Sequence, residues 1–290
     1  MNLIDQVVDY CDKKYQSECC SDDCKKIALC NENCKNCLDD LHYHCNRIRK
    51  TYDCQRLLYY YICRYSHKYC SEMLYALENV NFDDYPYLHI LSLGCGGAAD
   101  LMAFDIMNYP KDISYIGLDN NHLWEDIHKK IGELYHGGKV CFDSQKDVMQ
   151  YFTEHSLTDC NVIVIEYLIS YLYNREKSYL IEELFNNLVN NVLEHRAEKS
   201  PFLIIINDVD SIHTGRDELI KFRNIIENHG FVISYEKRRS FKNPSYFQNA
   251  VPYSSNNNRF SIPPEIKDKY CTAITYESVQ LILEVKADDN

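Results

Sequence analysis

The sequence predicts an α/β fold: a seven-stranded, mostly parallel sheet that closes in a C-terminal antiparallel hairpin, preceded by a small, mainly helical, Cys-rich module. Three observations predict it. Leu88 to Asp119 reads as an apolar run, a Gly-rich turn, a helix-compatible segment, a second apolar run and an acid. Short apolar runs then alternate with helical patterns to the end of the chain. Eleven of the 15 cysteines lie before residue 71.

The composition gradient divides the chain into residues 1–80, a helical and metal-binding module, and residues 81–290, a catalytic domain. At 290 residues the chain can hold one full α/β domain plus a smaller module, and its apolar fraction of 46% supports a substantial core. The net charge of −12 gives no whole-chain argument for binding naked nucleic acid. The first residues, MNLIDQVVDYCDKKY, carry acids at once and no apolar core of a signal peptide. No apolar run reaches the length of a membrane span. The expectation is an intracellular, cytoplasmic protein that does not enter a membrane, of undetermined oligomeric state.

The elements follow in order. The helix pattern LLYYYICRYSHKYCSEMLYAL ends before the linker ENVNFDDYPY, and LHILSL is the first strand. The turn at Gly94, Gly96 and Gly97 allows a ligand close to the backbone, the helix after it presents free N–H groups, and Asp119 can accept ribose hydroxyls. A helix around Leu123–Leu134, a third strand at Lys139–Phe142 and a helix over Gln145–His155 come next. Asn161–Ile165 is a buried central strand that ends in Glu166 and Tyr167, where an open α/β sheet does its chemistry. A helical segment over Arg175–Glu198 leads to a fifth strand, Phe202–Ile206, closed by Asn207 and Asp208. GFVISYEKR and SVQLILEVKA supply the last two strands, with a polar insertion between them that suits a substrate lid.

The stretch LSLGCGGAAD is not the dinucleotide fingerprint, because Ala99 stands where its third glycine belongs. It resembles motif I of the class I S-adenosylmethionine-dependent methyltransferases. Gly94 and Gly96 match the first two glycines of that motif and Ala98 the third; Ser92 stands where an acid is common, and Asp119 in YIGLD matches the acid ending strand two. The resemblance covers roughly residues 85 to 287 and implies a Rossmann-like sheet and S-adenosylmethionine as cofactor. It implies that Gly94, Gly96, Gly97 and Asp119 bind the cofactor and that Asp143, after strand three, meets the adenine. Glu166 matches motif IV without the Pro-Pro or Pro-Cys signatures of enzymes acting on DNA bases. Direct methyl transfer would then use Glu166 or Asp208 as base or orienting carboxylate and Tyr167 as a pocket wall.

Two features of the first 80 residues bear on partners. Thiols at separations of three and four residues, with no secretion signal, suit a metal thiolate site, and tetrahedral zinc fits best. The ligand set is drawn from Cys20, Cys24, Cys30, Cys34, Cys37 and Cys45, with His42 and His44 as substitutes. Buried free thiols and disulfides are the alternatives. From Leu41 to Cys70, Arg47, Arg49, Lys50, Arg56, Arg64 and Lys68 face only Asp53, with seven tyrosines between them. Such a strip can contact RNA, or its tyrosines can pack on the catalytic domain. Residues 81–290 carry a net charge of −11, so an RNA substrate depends on this strip, whereas a basic protein substrate does not. A non-catalytic, metal-stapled adaptor is the third reading.

Overall fold

Continuous apolar runs such as Phe202–Ile206 fill both faces of a sheet, because successive side chains point to opposite sides. The computed structural model describes residues 1–20, 22, 32–43, 51–109, 112–154, 159–174, 177–195, 201–242, 247–253 and 258–287. Five strands come from the runs read in the sequence: β1 Leu88–Leu93, β2 Ile113–Leu118, β3 Gly138–Asp143, β4 Val162–Glu166 and β5 Phe202–Val209. They are joined by β6 Phe231–Ser240, the two-residue β7 Val251–Pro252 and β8 Ser278–Ala287. The sheet order is β3-β2-β1-β4-β5-β8-β6-β7. The first five strands pair in parallel, and β8 runs antiparallel between β5 and β6.

The sheet therefore has eight strands where seven are expected. The extra one lies in the expected lid insertion and pairs only Arg239 and Ser240 with Val251 and Pro252 at the edge. The hairpin of the last two long strands is present as expected. Strand order reverses at β1, whose parallel neighbours are β2 and β4. This switch point opens a crevice beyond the carboxyl ends of those strands.

Helices cover both faces. On one lie α1 (Leu3–Ser17), α2 (Cys34–Tyr43), α3 (Gln55–Leu77), α4 (Ala99–Met107) and α5 (Glu125–Leu134). Residues of these helices share one continuous core with Leu88, Ile90, Tyr115, Val164 and Ile205 of the sheet. The other face buries Leu91, Leu93, Ile163, Ile204 and Leu281. It is covered by α6 (Val148–Glu154), α7 (Leu168–Asn174), α8 (Tyr179–Leu188), continued by a π turn over Val189–Leu193, and α9 (Glu218–Asn228). A short α10 (Pro264–Tyr270) lies in the insertion, and its Tyr270 packs edge-on against Tyr15 of α1 and Tyr60 of α3. Among the described residues no helix is long and apolar enough to cross a membrane.

The boundary read at residue 80 falls in the turn after α3, before the short 3₁₀ turn Phe82–Asp84. α3 lies before that boundary in the chain and rests on the Gly-rich turn after β1. A Cβ added to Gly97 would stand 2.2 Å from Ile62 Cδ1. We expect Gly97→Ala to destabilise the protein by about 1–3 kcal/mol, as overpacked cores do. In an Ile62→Val background, which lacks that methyl, the penalty should largely vanish. A double-mutant cycle by urea unfolding measures the coupling.

Candidate active site

The glycines after β1 bend the chain back over the strand ends. Gly94 and Gly96 take positive φ of 64° and 47°, and Ala98 follows at 53°. Ala98 holds the left-handed conformation of the third motif glycine at a cost of roughly 1–2 kcal/mol. The Gly96 N–H donates to Asp119 Oδ2 at 3.0 Å, and the Asn121 N–H to Asp119 Oδ1 at 2.9 Å. The Asp119 N–H donates to the Asp143 carbonyl at 3.0 Å. The structure thus brings together Gly94, Gly96, Gly97, Asp119 and Asp143, all expected around a cofactor. Asp119 and Asp143 remain partly exposed, as do Gly94 and Gly96. Burial raises the Asp119 carboxyl to about 6, against the N–H bonds from Asn121 and Gly96 that favour its charged form.

A histidine absent from the sequence-based site holds this turn. His128 on α5 lies 2.6 Å from the Gly96 carbonyl through Nε2 and 3.1 Å from Ser144 Oγ through Nδ1. The carbonyl can only accept, so Nε2 carries the proton and Nδ1 accepts from the Ser144 hydroxyl. The ring is stacked on Phe142 at 4.2 Å. His128 therefore ties the turn after β1 to the loop after β3. Its only sequence signal is helical spacing from Trp124, which itself lies over Gly96.

On the other side of the switch point, β4 delivers Glu166 and Tyr167, both partly exposed. Tyr167 has φ of +56°. Its hydroxyl donates to Glu72 Oε2 at 2.7 Å, and its N–H donates to the Asn207 carbonyl at 2.9 Å. Asn207 Nδ2 donates to Glu72 Oε2 at 3.1 Å and lies 3.3 Å from Glu166 Oε1. Burial pushes the Glu166 carboxyl well above the usual range, and the charges of Asp100 and Glu72 push it further. Asp208 is fully enclosed: its Oδ2 accepts from the Ile169 and Ser170 N–H groups at 2.9 and 3.1 Å, capping α7. Burial raises it to about 6. Asp208 thus supports the loop that carries Tyr167.

Sequence reading missed Glu72 and Asp100. Asp100 is the second residue of α4, 1% exposed, with Oδ1 accepting from Tyr115 Oη at 2.9 Å. Its Oδ2 is buried without a hydrogen-bond partner. An acid facing inward from the apolar helix ADLMAFDIM was the available signal.

Of the expected zinc ligands, Cys20, Cys34 and Cys37 are buried. Burial raises the Cys34 thiol, and Cys20 adds to the rise. Cys24, Cys30 and Cys45 lie outside the described residues, as do His44, Arg47, Arg49 and Lys50. Among the described residues no group of three or more His, Cys, Asp or Glu side chains could hold a metal ion. Cys63 and Cys70 are buried in the helix core. Of the basic strip, Arg56 donates to the Tyr15 and Glu32 carbonyls, Arg64 pairs with Asp39 at 3.3 Å, and Lys68 lies 3.9 Å from Glu72. Tyr59, Tyr60, Tyr65 and Tyr69 are buried.

No protein-family model matches the chain, and no curated protein matches it. Several solved structures are distantly similar. The plantazolicin methyltransferase BpumL in complex with SAH is 14% identical, with 77% of this chain and 82% of that chain covered and a TM-score of 0.40. Precorrin-6y C5,15-methyltransferase from Geobacter metallireducens is 13% identical over 75% of this chain and 87% of that one, with a TM-score of 0.41. The mitomycin 7-O-methyltransferase MmcR is 11% identical over 81% and 56%, with a TM-score of 0.44.

The buried imidazole sets a pH dependence. Burial lowers His128 to about 4, against an ordinary value of about 6.5. Above pH 6.5 the ring is neutral in folded and unfolded chains alike. As pH falls towards 4 the unfolded chain binds the proton first, so stability is lost. Between pH 7 and pH 4 the wild type should lose up to about 3 kcal/mol relative to His128→Gln. Urea unfolding of both proteins across that range checks it; Asp119, common to both, cancels.

Proposed function

We propose that the chain is an S-adenosylmethionine-dependent methyltransferase. The observation that carries this reading is the clamp of Asp119 on the Gly96 amide at the switch point, opposite Glu166 and Tyr167. The donor set suits the cofactor. Asp119 offers carboxylate oxygens to a ribose diol, the turn at Gly94–Gly97 admits a close backbone approach, and Asp143 with the loop after it borders an adenine. When bound, the cofactor supplies a methyl group already made electrophilic by its sulfonium.

The chain's own residues do the rest. α3 and Trp124 lie over the turn and limit water there. Glu166 stands at the carboxyl end of β4 with a raised affinity for protons, which suits it to accept one from a methyl acceptor. Tyr167, held in a strained backbone conformation by Glu72 and Asn207, walls the same space. Asp208 acts through α7 by holding that loop in place.

Calorimetry tests the cofactor. Wild type should bind S-adenosylmethionine, and Asp119→Ala should weaken binding by about tenfold or more, as expected for loss of charge-assisted hydrogen bonds of about 1.5–3 kcal/mol. Folded wild type that binds no cofactor would favour the adaptor reading.

The zinc reading is proposed for the residues around Cys20, Cys34 and Cys37 together with Cys24, Cys30 and Cys45. Elemental analysis of protein purified without added metal should find one or two zinc ions per chain, and freely titratable thiols with substoichiometric metal would end the idea. An RNA substrate would have to rely on Arg47, Arg49 and Lys50, since Arg56, Arg64 and Lys68 are engaged within the protein. A protein substrate remains the alternative, with the site's negative charge in its favour.

A further inference from the structure

The polar insertion between β6 and β8 is fastened to α3 at several points. The Ala273 N–H donates to the Arg64 carbonyl at 2.8 Å, and Thr272 Oγ1 donates to the Cys63 carbonyl at 3.3 Å. Further along α3, Ser71 Oγ lies 2.7 Å from the His67 carbonyl and 2.9 Å from Asn258 Oδ1, and it accepts from the Arg259 N–H at 3.1 Å. Phe260 stands edge-on to His67 with ring centroids 5.3 Å apart. Two segments of the insertion, 258–260 and 272–273, are thus anchored on one helix, with α10 between them in the chain.

These segments and α10 enclose a cavity of about 450 Å³, within the range of small-molecule sites. Phe260, Ile262 and Ile274 give it apolar walls, and Ile274 is left 44% exposed. Its polar lining is rich in donors. Lys267 brings an exposed ammonium, and none of the seven described residues lining the cavity is an acid, in a chain with 43 acidic side chains. Tyr276 is 3% exposed, and its hydroxyl is buried without a hydrogen-bond partner. Ser71 is close by but already engaged by His67, Asn258 and Arg259. Burial raises the Tyr276 hydroxyl, so it keeps its proton and can donate. Asn258 spends its Oδ1 on Ser71 and on the Phe260 N–H at 3.1 Å, which leaves the Nδ2 donors over. A buried donor left unmade is costly, and an acceptor placed in the cavity removes that cost.

We propose that this cavity is a second binding site, apart from the crevice, for a small carboxylic acid with an apolar body. The apolar body covers Phe260 and Ile274, and the carboxylate accepts from Tyr276 Oη and Asn258 Nδ2, with the Lys267 ammonium at the rim. Tyr276 and Asn258 both adjoin Ser71, so one carboxylate can take a hydrogen bond from each. An amine meets a lysine here, and a hydrocarbon leaves the Tyr276 hydroxyl unpaired. Anchoring of both segments on α3 keeps the cavity formed before any ligand arrives. The proposal does not depend on the methyltransferase reading, since no lining residue belongs to β1, β2, β4 or the turns that follow them.

The test uses the full-length protein and a panel of linear, branched and aromatic monocarboxylates of up to about twelve heavy atoms, each beside its neutral carboxamide. Saturation-transfer NMR detects binding, and titration measures Kd. At least one acid should bind with a millimolar Kd or tighter, and its carboxamide about tenfold more weakly, as expected when charge-assisted hydrogen bonds are lost. Lys267→Met should weaken the acid by about threefold, the scale of an ion pair at an exposed ammonium, and high salt should erase that difference. Tyr276→Phe should weaken it by about fivefold. Ile274→Trp, a substitution at an exposed position, should fill the cavity and abolish binding while thermal unfolding stays unchanged. A panel in which no acid binds overturns the proposal. So does an acid that binds no better than its carboxamide, or one that binds the folded Ile274→Trp protein as well as wild type.

Discussion

The Glu72 carboxylate is the interaction on which the upper side of the sheet depends. It is fully buried, and it gathers Tyr167 Oη at 2.7 Å, Ser278 Oγ at 2.7 Å and Asn207 Nδ2 at 3.1 Å. The carbonyl of the same residue accepts from Gln280 Nε2 at 2.6 Å, and Gln280 also reaches Asn207 Oδ1 at 3.2 Å. One helical position therefore joins α3 to the end of β4, to β5 and to β8. An ionised carboxylate in such a place is tolerated only when its lone pairs are filled, and here three side-chain donors fill them, with Lys68 alongside. The network fixes α3 across the strand ends, and α3 in turn delivers Ile62 to the Gly-rich turn and Tyr61 and Tyr69 to the crevice.

The same network accounts for the two strained residues near the site. Left-handed backbone at an aromatic residue costs of order 1–3 kcal/mol and persists where surrounding bonds over-determine it. Tyr167 meets that condition: its hydroxyl is held by Glu72, its N–H by Asn207, and the Ile169 and Ser170 amides by Asp208. Ala98 meets it differently. Its N–H donates to the Cys95 carbonyl at 2.7 Å, and its methyl is fully buried. Both outliers follow strand ends that flank the switch point.

Much of this was legible in the sequence because strands and turns write their signals locally. LHILSL and YIGL became β1 and part of β2, NVIVI became β4 within one residue, and FLIII became β5, which runs on to Val209. Helix bounds were less legible where packing decides them. The segment read over Gln145–His155 is helical over Val148–Glu154, and that over Arg175–Glu198 holds α8 and a π turn. Glu72 was not legible at all, and Asp100 only as an acid within an apolar helix. Their partners lie on β5, β8 and β2, and nothing local distinguishes a buried acid from a surface one. The choice between an RNA-contacting strip and packed tyrosines was likewise undecidable without knowing which way α3 faces.

That orientation also bears on the composition, 25 tyrosines in a chain of net charge −12. Phenol hydroxyls donate to carboxylates without adding positive charge. Tyr10 and Tyr59 both donate to Asp126 Oδ2, at 2.7 and 2.8 Å, which seats α1 and α3 on α5. Tyr270 donates to Asp12 at 2.6 Å, and Tyr115 to Asp100 at 2.9 Å. A phenylalanine at each place would keep the packing but strand the acid. Lysine or arginine would satisfy the acid but cancel the field that the crevice presents. Tyrosine does neither: it fills the core, occupies carboxylate lone pairs and leaves the charge in place. The same pairing recurs on α1, α3, β2 and α10, so it seats four separate elements of the fold against their neighbours.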